Sequence, residues 1–323
     1  MIYHPIPRTS LSVSALCYGF GGHGTSATGA DSDRLYNAFR EVGGNFFDTA
    51  HCYSFWVPGG MGISERTLGS AIRRFGGREE IVVGTKGGHP QVLPGYPRPD
   101  YYLAPEVIAS DVQESLDRLG LDAIDLYYLH RDDVRIPVEE IIDALNQEVR
   151  AGRIRFLGAS NWSTERIAGA NAYALAHGLQ GFVCSQPQFN LAEPNRPFAD
   201  PTMQFLTVAD RQWYTSTGMP VSSYSSTACG YFATHGQSAS GSYGNPTSQA
   251  RLGRAEQLAA EIGCTPNQVA LAWLMRQPFP VIPIIGTTNL EHLRDALAAV
   301  ALELSGEQVE WLEGREQNGH STN

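Results

Sequence analysis

The chain has 323 residues, 42% hydrophobic and 17% charged, with too many apolar and aromatic side chains for a disordered protein. A net charge of −10, from 23 basic against 33 acidic residues, argues against a nucleic-acid or anionic-membrane surface, since both need clustered positive charge. The five cysteines lie far apart and form no CxxC pair, so no disulfide framework and no metal site is expected, and a reducing cytoplasm is the expected location. The amino terminus, MIYHPIPRTS, lacks a signal-peptide pattern, and no apolar run approaches the roughly 18 residues of a membrane span.

Strand-like runs alternate with helical patterns along the chain. VSALCYG (13–19) precedes a helix beginning near Asp33, and NFFDT (45–49) precedes SERTLGSAIRRF, which Gly76-Gly77 closes. EIVVGTK (80–86) is followed by a helix from Pro105 to Arg118, and AIDLYYLH (123–130) by PVEEIIDALNQEVRAG, which ends at Gly152. IRFLGAS (154–160), FVCSQ (182–186), PVSSYS (220–225) and VIPIIG (281–286) bring the strands to eight. Such alternation implies parallel strands with helical crossovers, and eight units predict the α/β class and a (β/α)8 TIM barrel. The residues beyond the roughly 250 of a typical barrel fall in long loops after strands 2 and 7, at 50–63 and 225–248. No linker divides the chain, so a single domain over 1–323 is expected.

Gly19, Gly21 and Gly24 spell GxGxxG, with Asp48 at the end of the next strand, which is the dinucleotide fingerprint of a doubly wound fold. That motif needs its last glycine to open the helix that holds the pyrophosphate. Here TSATGADSD intervenes, so the glycines read as a loop flooring a barrel mouth.

Asp48, Lys86 and His130 end strands 2, 3 and 4, and Tyr53 lies five residues past Asp48; in a barrel these ends converge. Singly, each has an ordinary reading as a cap, a solvated charge or a hydrogen-bonded core residue. Together they supply what carbonyl reduction needs, because hydride added to carbon requires a proton delivered to oxygen. A tyrosine with an ordinary pKa of about 10 is a poor base near neutrality, and a neighbouring ammonium favours its phenolate. Lys86 can provide that charge, Asp48 can hold the lysine, and His130 can orient the substrate oxygen.

NFFDTAHCY, IVVGTK, DLYYLH, GRIRFLGASNWS and PIIGTTNLEHL resemble successive motifs of the aldo-keto reductase superfamily, across nearly the whole chain. The resemblance implies a nicotinamide-dependent oxidoreductase acting on an aldehyde, ketone or sugar carbonyl, with Asp48, Tyr53, Lys86 and His130 as its catalytic tetrad. It implies a cofactor surface of Gly19, Phe20, Gly21, Asp48, Ser160, Asn161, Gln186, Tyr224, Ser225, Thr227, Gly286, Thr287, Thr288, His292 and Asp295. The carboxamide would meet Ser160, Asn161 and Gln186, the nicotinamide ring would stack on Tyr224, and the pyrophosphate side would meet backbone N–H groups after strand 8. His23, Trp56 and Arg131 are expected to face the substrate, whereas Phe55 is expected to pack its own loop. The Arg131-Asp132-Asp133 cluster suggests either a hydroxylated, sugar-like substrate or an internal salt bridge. Family members that prefer NADPH place cations near 286–296, where this chain has Arg294 alone and adds Asp295, so the expectation leans from NADP(H) to NAD(H). Potassium-channel β subunits share the resemblance, and a catalytically weak nucleotide-binding regulatory subunit is the alternative. The expected partner is a small molecule, and a homo-oligomer is allowed for.

Overall fold

The computed structural model describes residues 1–91, 96–197 and 200–315. The chain enters through a short antiparallel hairpin, β1 (Tyr3–Pro5) and β2 (Ser12–Ser14). Eight parallel strands then close into a barrel in chain order: β3 (Cys17–Gly19), β4 (Phe46–Asp48), β5 (Val82–Gly87), β6 (Ile124–Leu129), β7 (Ile154–Ser160), β8 (Phe182–Gln186), β9 (Val221–Ser223) and β10 (Val281–Ile285), with β10 pairing back onto β3. Helices α1 (Gly29–Glu41), α2 (Ile63–Phe75), α3 (Pro105–Leu119), α4 (Val138–Arg150) and α5 (Thr164–Ala176) link successive strands as parallel pairing requires. They are followed by α6 (Val208–Thr217), the single turn α7 (Ser240–Tyr243), α8 (Pro246–Ile262), α9 (Pro266–Met275), α10 (Leu290–Ala298) and α11 (Gly306–Glu313). Among the described residues no helix is long and apolar enough to cross a membrane.

The expected (β/α)8 barrel is therefore present, with two local differences. The apolar run 13–19 is shared between two structures: Val13 pairs with His4 in the hairpin, and only Cys17–Gly19 joins the barrel. Helix α1 opens at Gly29 after the extended Thr28, earlier than the expected start near Asp33.

Side chains alternate across a strand, so every second residue points into the barrel. Cys17, Phe46, Val82, Leu126, Tyr128, Cys184, Ile282 and Ile284 make up the inner core, and Ile6, Leu11 and Val13 of the hairpin region pack into the same cluster. Arg8 donates to the carbonyl of Phe182 at the start of β8, which puts the hairpin at the amino-terminal end of the strands. Gly158 makes room for the interior Tyr128 ring, because a Cβ there would stand 2.3 Å from it. Extending the inward rows by one step, from Phe46, Val82-Gly84, Tyr128 and Cys184, brings Asp48, Lys86, His130 and Gln186 together at the opposite end.

Candidate active site

Lys86 is 1% exposed and has a partner for each of its three N–H bonds. It donates to Asp48 Oδ2 at 2.6 Å, to the Thr49 carbonyl at 2.7 Å and to the Tyr53 hydroxyl oxygen at 2.9 Å. An ammonium accepts nothing, so the tyrosine oxygen is the acceptor and its own proton points away from Lys86. Burial raises the Tyr53 pKa, Lys86 opposes the rise, and Asp48 adds to it; the balance lies above the ordinary tyrosine value. Tyr53 is therefore a neutral phenol near pH 7. Burial disfavours the charge on Lys86, yet Asp48 and Tyr53 hold its pKa above that of an ordinary lysine. The ammonium thus has the expected effect on the phenol, but burial outweighs it.

His130 stands edge-on to the Tyr53 ring, centroids 5.9 Å apart. Burial first, then His89 and Arg131, push its pKa well below 6.5, leaving a neutral imidazole. Cys52 Sγ lies 3.4 Å from His130 Nδ1, and the His89 ring is 4.7 Å from the His130 ring. The sequence held a signal for both neighbours, since Cys52 adjoins Tyr53 and His89 lies three residues past Lys86 in the same post-strand loops.

Gln186 Nε2 donates to Asp48 Oδ1 at 3.0 Å, and its Oε1 is buried with no partner among the described residues. Ser160 Oγ donates to the Gln186 carbonyl at 2.9 Å, and Asn161 Nδ2 reaches Ser160 Oγ at 3.0 Å and the His130 carbonyl at 3.2 Å. Asn161 Oδ1 accepts from the Tyr224 hydroxyl at 2.7 Å. Ser160 and Asn161 are not helix caps: Ser163 caps α5, accepting from the Arg166 amide. Asn161 holds φ 59° and Ser225 φ 51°, left-handed conformations that seldom occur without a compensating environment.

Tyr53, Asp48, Gly19, Gly21, Tyr224, Ser225, Thr227, Gly286, Thr287 and Thr288 line a cavity of ≈ 460 Å³. A second cavity of ≈ 660 Å³, lined by His292 and Asp295, shares Thr227, Cys229, Gly286 and Thr287 with the first. Together they form a trough running from Tyr53 to α10, long enough in kind for an extended dinucleotide. The residues fit such a group: the unpartnered Gln186 oxygen can accept from a carboxamide, Tyr224 offers a ring face, and hydroxyls line the middle. Gly22 lets the loops after β3 and β10 approach, since a Cβ there would stand 2.9 Å from Thr288 Cγ2. The helix start after β10 is less bare than expected, because the Asn289 side chain already accepts from the amides of Glu291 and His292.

Several expected contact residues point elsewhere. Phe20 is fully buried and stacks on His23 at 3.9 Å, away from the cavity. His23 is equally buried. The Tyr18 hydroxyl donates to the Thr287 carbonyl at 2.8 Å, so it accepts from His23 Nε2 at 3.0 Å, and His23 Nδ1 accepts from Ser32 Oγ at 2.6 Å. His23 therefore braces the wall of the trough through Tyr18 and has no substrate face. Arg131 is 8% exposed and donates to Asp200, Thr202 and the His130 carbonyl. Asp132 pairs with Arg166 and Asp133 with Arg135, so all three charges are taken up in ion pairs, each with a partner outside the cluster, as the salt-bridge alternative expects. Trp56 is 56% exposed and meets Phe55 edge-on at 5.2 Å, while Phe55 packs on Tyr96 at 5.3 Å. Asp295 lines the second cavity, but its carboxylate is bonded by Thr265, Asn267 and Gln268.

The chain matches the family model of the Aldo/keto reductase family over residues 15–315 and belongs to that family. It is 30% identical to the uncharacterized oxidoreductase YrpG of Bacillus subtilis (strain 168), over 97% of this chain and 95% of that protein. It is also 30% identical to a putative voltage-gated potassium channel subunit beta of Schizosaccharomyces pombe, over 91% and 86%, and to a norsolorinic acid reductase of Aspergillus flavus, over 97% and 81%. Among solved structures it resembles a thermostable aldo-keto reductase, Tm1743, in complex with the inhibitor epalrestat, with TM-score 0.71, 26% identity, and coverage of 98% of this chain and 100% of that one. Aldo-keto reductases are in general nicotinamide-dependent oxidoreductases, usually with NADPH, and some members are regulatory subunits.

Proposed function

We propose that this protein reduces a small-molecule aldehyde or ketone, with Tyr53 delivering the proton to the carbonyl oxygen. The observation that carries this reading is the saturated ammonium of Lys86. With all three of its N–H bonds in use, one of them on the Tyr53 oxygen, the phenolic proton is aimed away from the lysine and stays on oxygen at neutral pH. Asp48 fixes Lys86, Lys86 fixes the Tyr53 oxygen, and the neutral His130 supplies a second hydrogen bond to hold the substrate oxygen beside Tyr53. Gln186, Asn161 and Ser160 would hold the carboxamide of a nicotinamide dinucleotide, and Tyr224 would cover one ring face. The cofactor, when bound, supplies the hydride. The ion pairs of Arg131, Asp132 and Asp133 remove the reason to favour sugars, so the substrate class is a carbonyl compound in general.

Neither cavity of the trough has a lysine or arginine among its described lining residues, and Arg294 is turned to Glu291 at 2.7 Å. A 2′-phosphate would lack the forked donors that usually meet it. NADH should therefore bind as tightly as NADPH or more tightly; a tenfold or greater preference for NADPH, measured as dissociation constants, overturns this.

The potassium-channel subunit relatives favour a second reading, in which the site binds nucleotide and a partner is regulated. A panel of aldehydes, ketones and sugars assayed with both nucleotides separates the two. Turnover supports the reductase, and tight nucleotide binding without turnover selects the regulatory subunit.

A further inference from the structure

Cys52, His89 and His130 are buried together, and one ligand atom from each lies within 4.8 Å of the others. Proton delivery by Tyr53 gives no task to Cys52 or His89. The 3.4 Å between Cys52 Sγ and His130 Nδ1 already suits tetrahedral zinc, where Zn–S of about 2.3 Å and Zn–N of about 2.0 Å place S and N roughly 3.5 Å apart. His89 has Nδ1 on the Pro90 carbonyl at 2.7 Å, which leaves Nε2 to coordinate. A backbone carbonyl on the non-coordinating nitrogen is the usual way a metal-binding histidine is oriented. Cys52 is itself held in a small apolar cluster with Ala50 and Tyr96, so its sulfur is not free to swing away.

We propose that Cys52, His89 and His130 form a three-ligand site for a soft divalent cation, Zn2+, with its fourth position open beside Tyr53. On binding, the Cys52 S–H bond breaks as the Zn–S bond forms, the proton leaves to solvent, both imidazoles bind as neutral donors, and nothing is oxidised or reduced. Sulfur and imidazole are the donors that select zinc over magnesium or calcium. The water or hydroxide on the cation's open position beside Tyr53 would occupy the place of a carbonyl oxygen, so zinc would inhibit reduction competitively with the carbonyl compound. That inhibition rests on the reductase reading; the binding does not.

The test uses metal-free full-length protein titrated with Co2+ as a spectroscopic stand-in for Zn2+. The expected result is one equivalent bound, with a sulfur-to-cobalt charge-transfer band and tetrahedral visible bands, all abolished by Zn2+. Cys52→Ser should remove the charge-transfer band, and His89→Gln should weaken binding at least about tenfold, the low end even for an outer partner of a metal ligand. A Cys229→Ser, Cys264→Ser double variant should keep the band, because those two cysteines are the ones not buried. Absence of the band in the wild type, its survival in Cys52→Ser, or its loss in the double variant overturns the site. If circular dichroism shows Cys52→Ser to be unfolded, unchanged affinity in His89→Gln overturns it alone. Failure of the reductase reading shows separately, as absent turnover with the cobalt band intact.

Discussion

The hydroxyl of Tyr53 accepts one hydrogen bond and has one proton to give, so Tyr53→Phe removes chemistry while leaving the ring that lines the cavity. Turnover should fall at least about a hundredfold, the low end for general acid catalysis, while the nucleotide dissociation constant holds. Wild-type turnover in this variant would move the proton source to His130 or water. Lys86→Met removes the charge that lowers the Tyr53 pKa and leaves Asp48 buried without its ion pair. Alcohol oxidation, which needs the phenolate, should suffer more than carbonyl reduction, which needs the phenol. An oxidation pH profile unchanged from wild type would show Lys86 to be structural. At this scale the convergence of Asp48, Tyr53, Lys86 and His130 was legible because each ends a strand or follows one closely, and strand periodicity fixes where such residues point. His23 and Arg131 were not. Both sit in loops, where nothing local says whether a side chain turns outward, into Ser32 and Tyr18, or across to Asp200.

The loop after β3 is welded to the loop after β10 through His23, Tyr18 and Thr287, so two elements far apart in the chain share one buried ring. Burial holds the pKa of His23 down to about 4, and burial together with Arg131 does the same for His89. The unfolded chain binds protons at these positions near 6.5, and the folded one does not until about 4. Stability is therefore full above about pH 6.5 and declines as pH falls through that window, by on the order of 3 kcal/mol per ring at the limit. Urea midpoints at pH 7, 5.5 and 4.5 should fall in that order; a midpoint flat across them would mean that the rings are already charged in the fold. Most elements were legible from β-branched runs and from glycine or proline at helix ends. The fused 13–19 run was not, since three-residue strands are too short for periodicity to divide them. The Asn289 cap was not legible, because a cap and a phosphate cradle use the same amides.

The whole molecule separates its two ends. Ile6, 1% exposed, packs into the inner core from the hairpin end, away from Tyr53. Ile6→Ala should destabilise by about 2–5 kcal/mol through lost burial and a residual cavity, with turnover of the folded protein unchanged. A large loss of turnover at unchanged urea midpoint would refute that separation. The barrel itself was legible from eight alternating units, whereas its hairpin plug was not. The closing seam sets the order in which the molecule can be built. Cys17 lies opposite Ile284, so the first barrel strand, already paired with β4, finds its second partner only when the last has been synthesised. Until Val281–Ile285 leaves the ribosome, β3 and β9 each present an open row of backbone donors and acceptors, beside an apolar interior with one wall missing. The nascent chain carries that exposed edge for most of its translation, the interval in which such edges invite aggregation, and the edge vanishes in one late event.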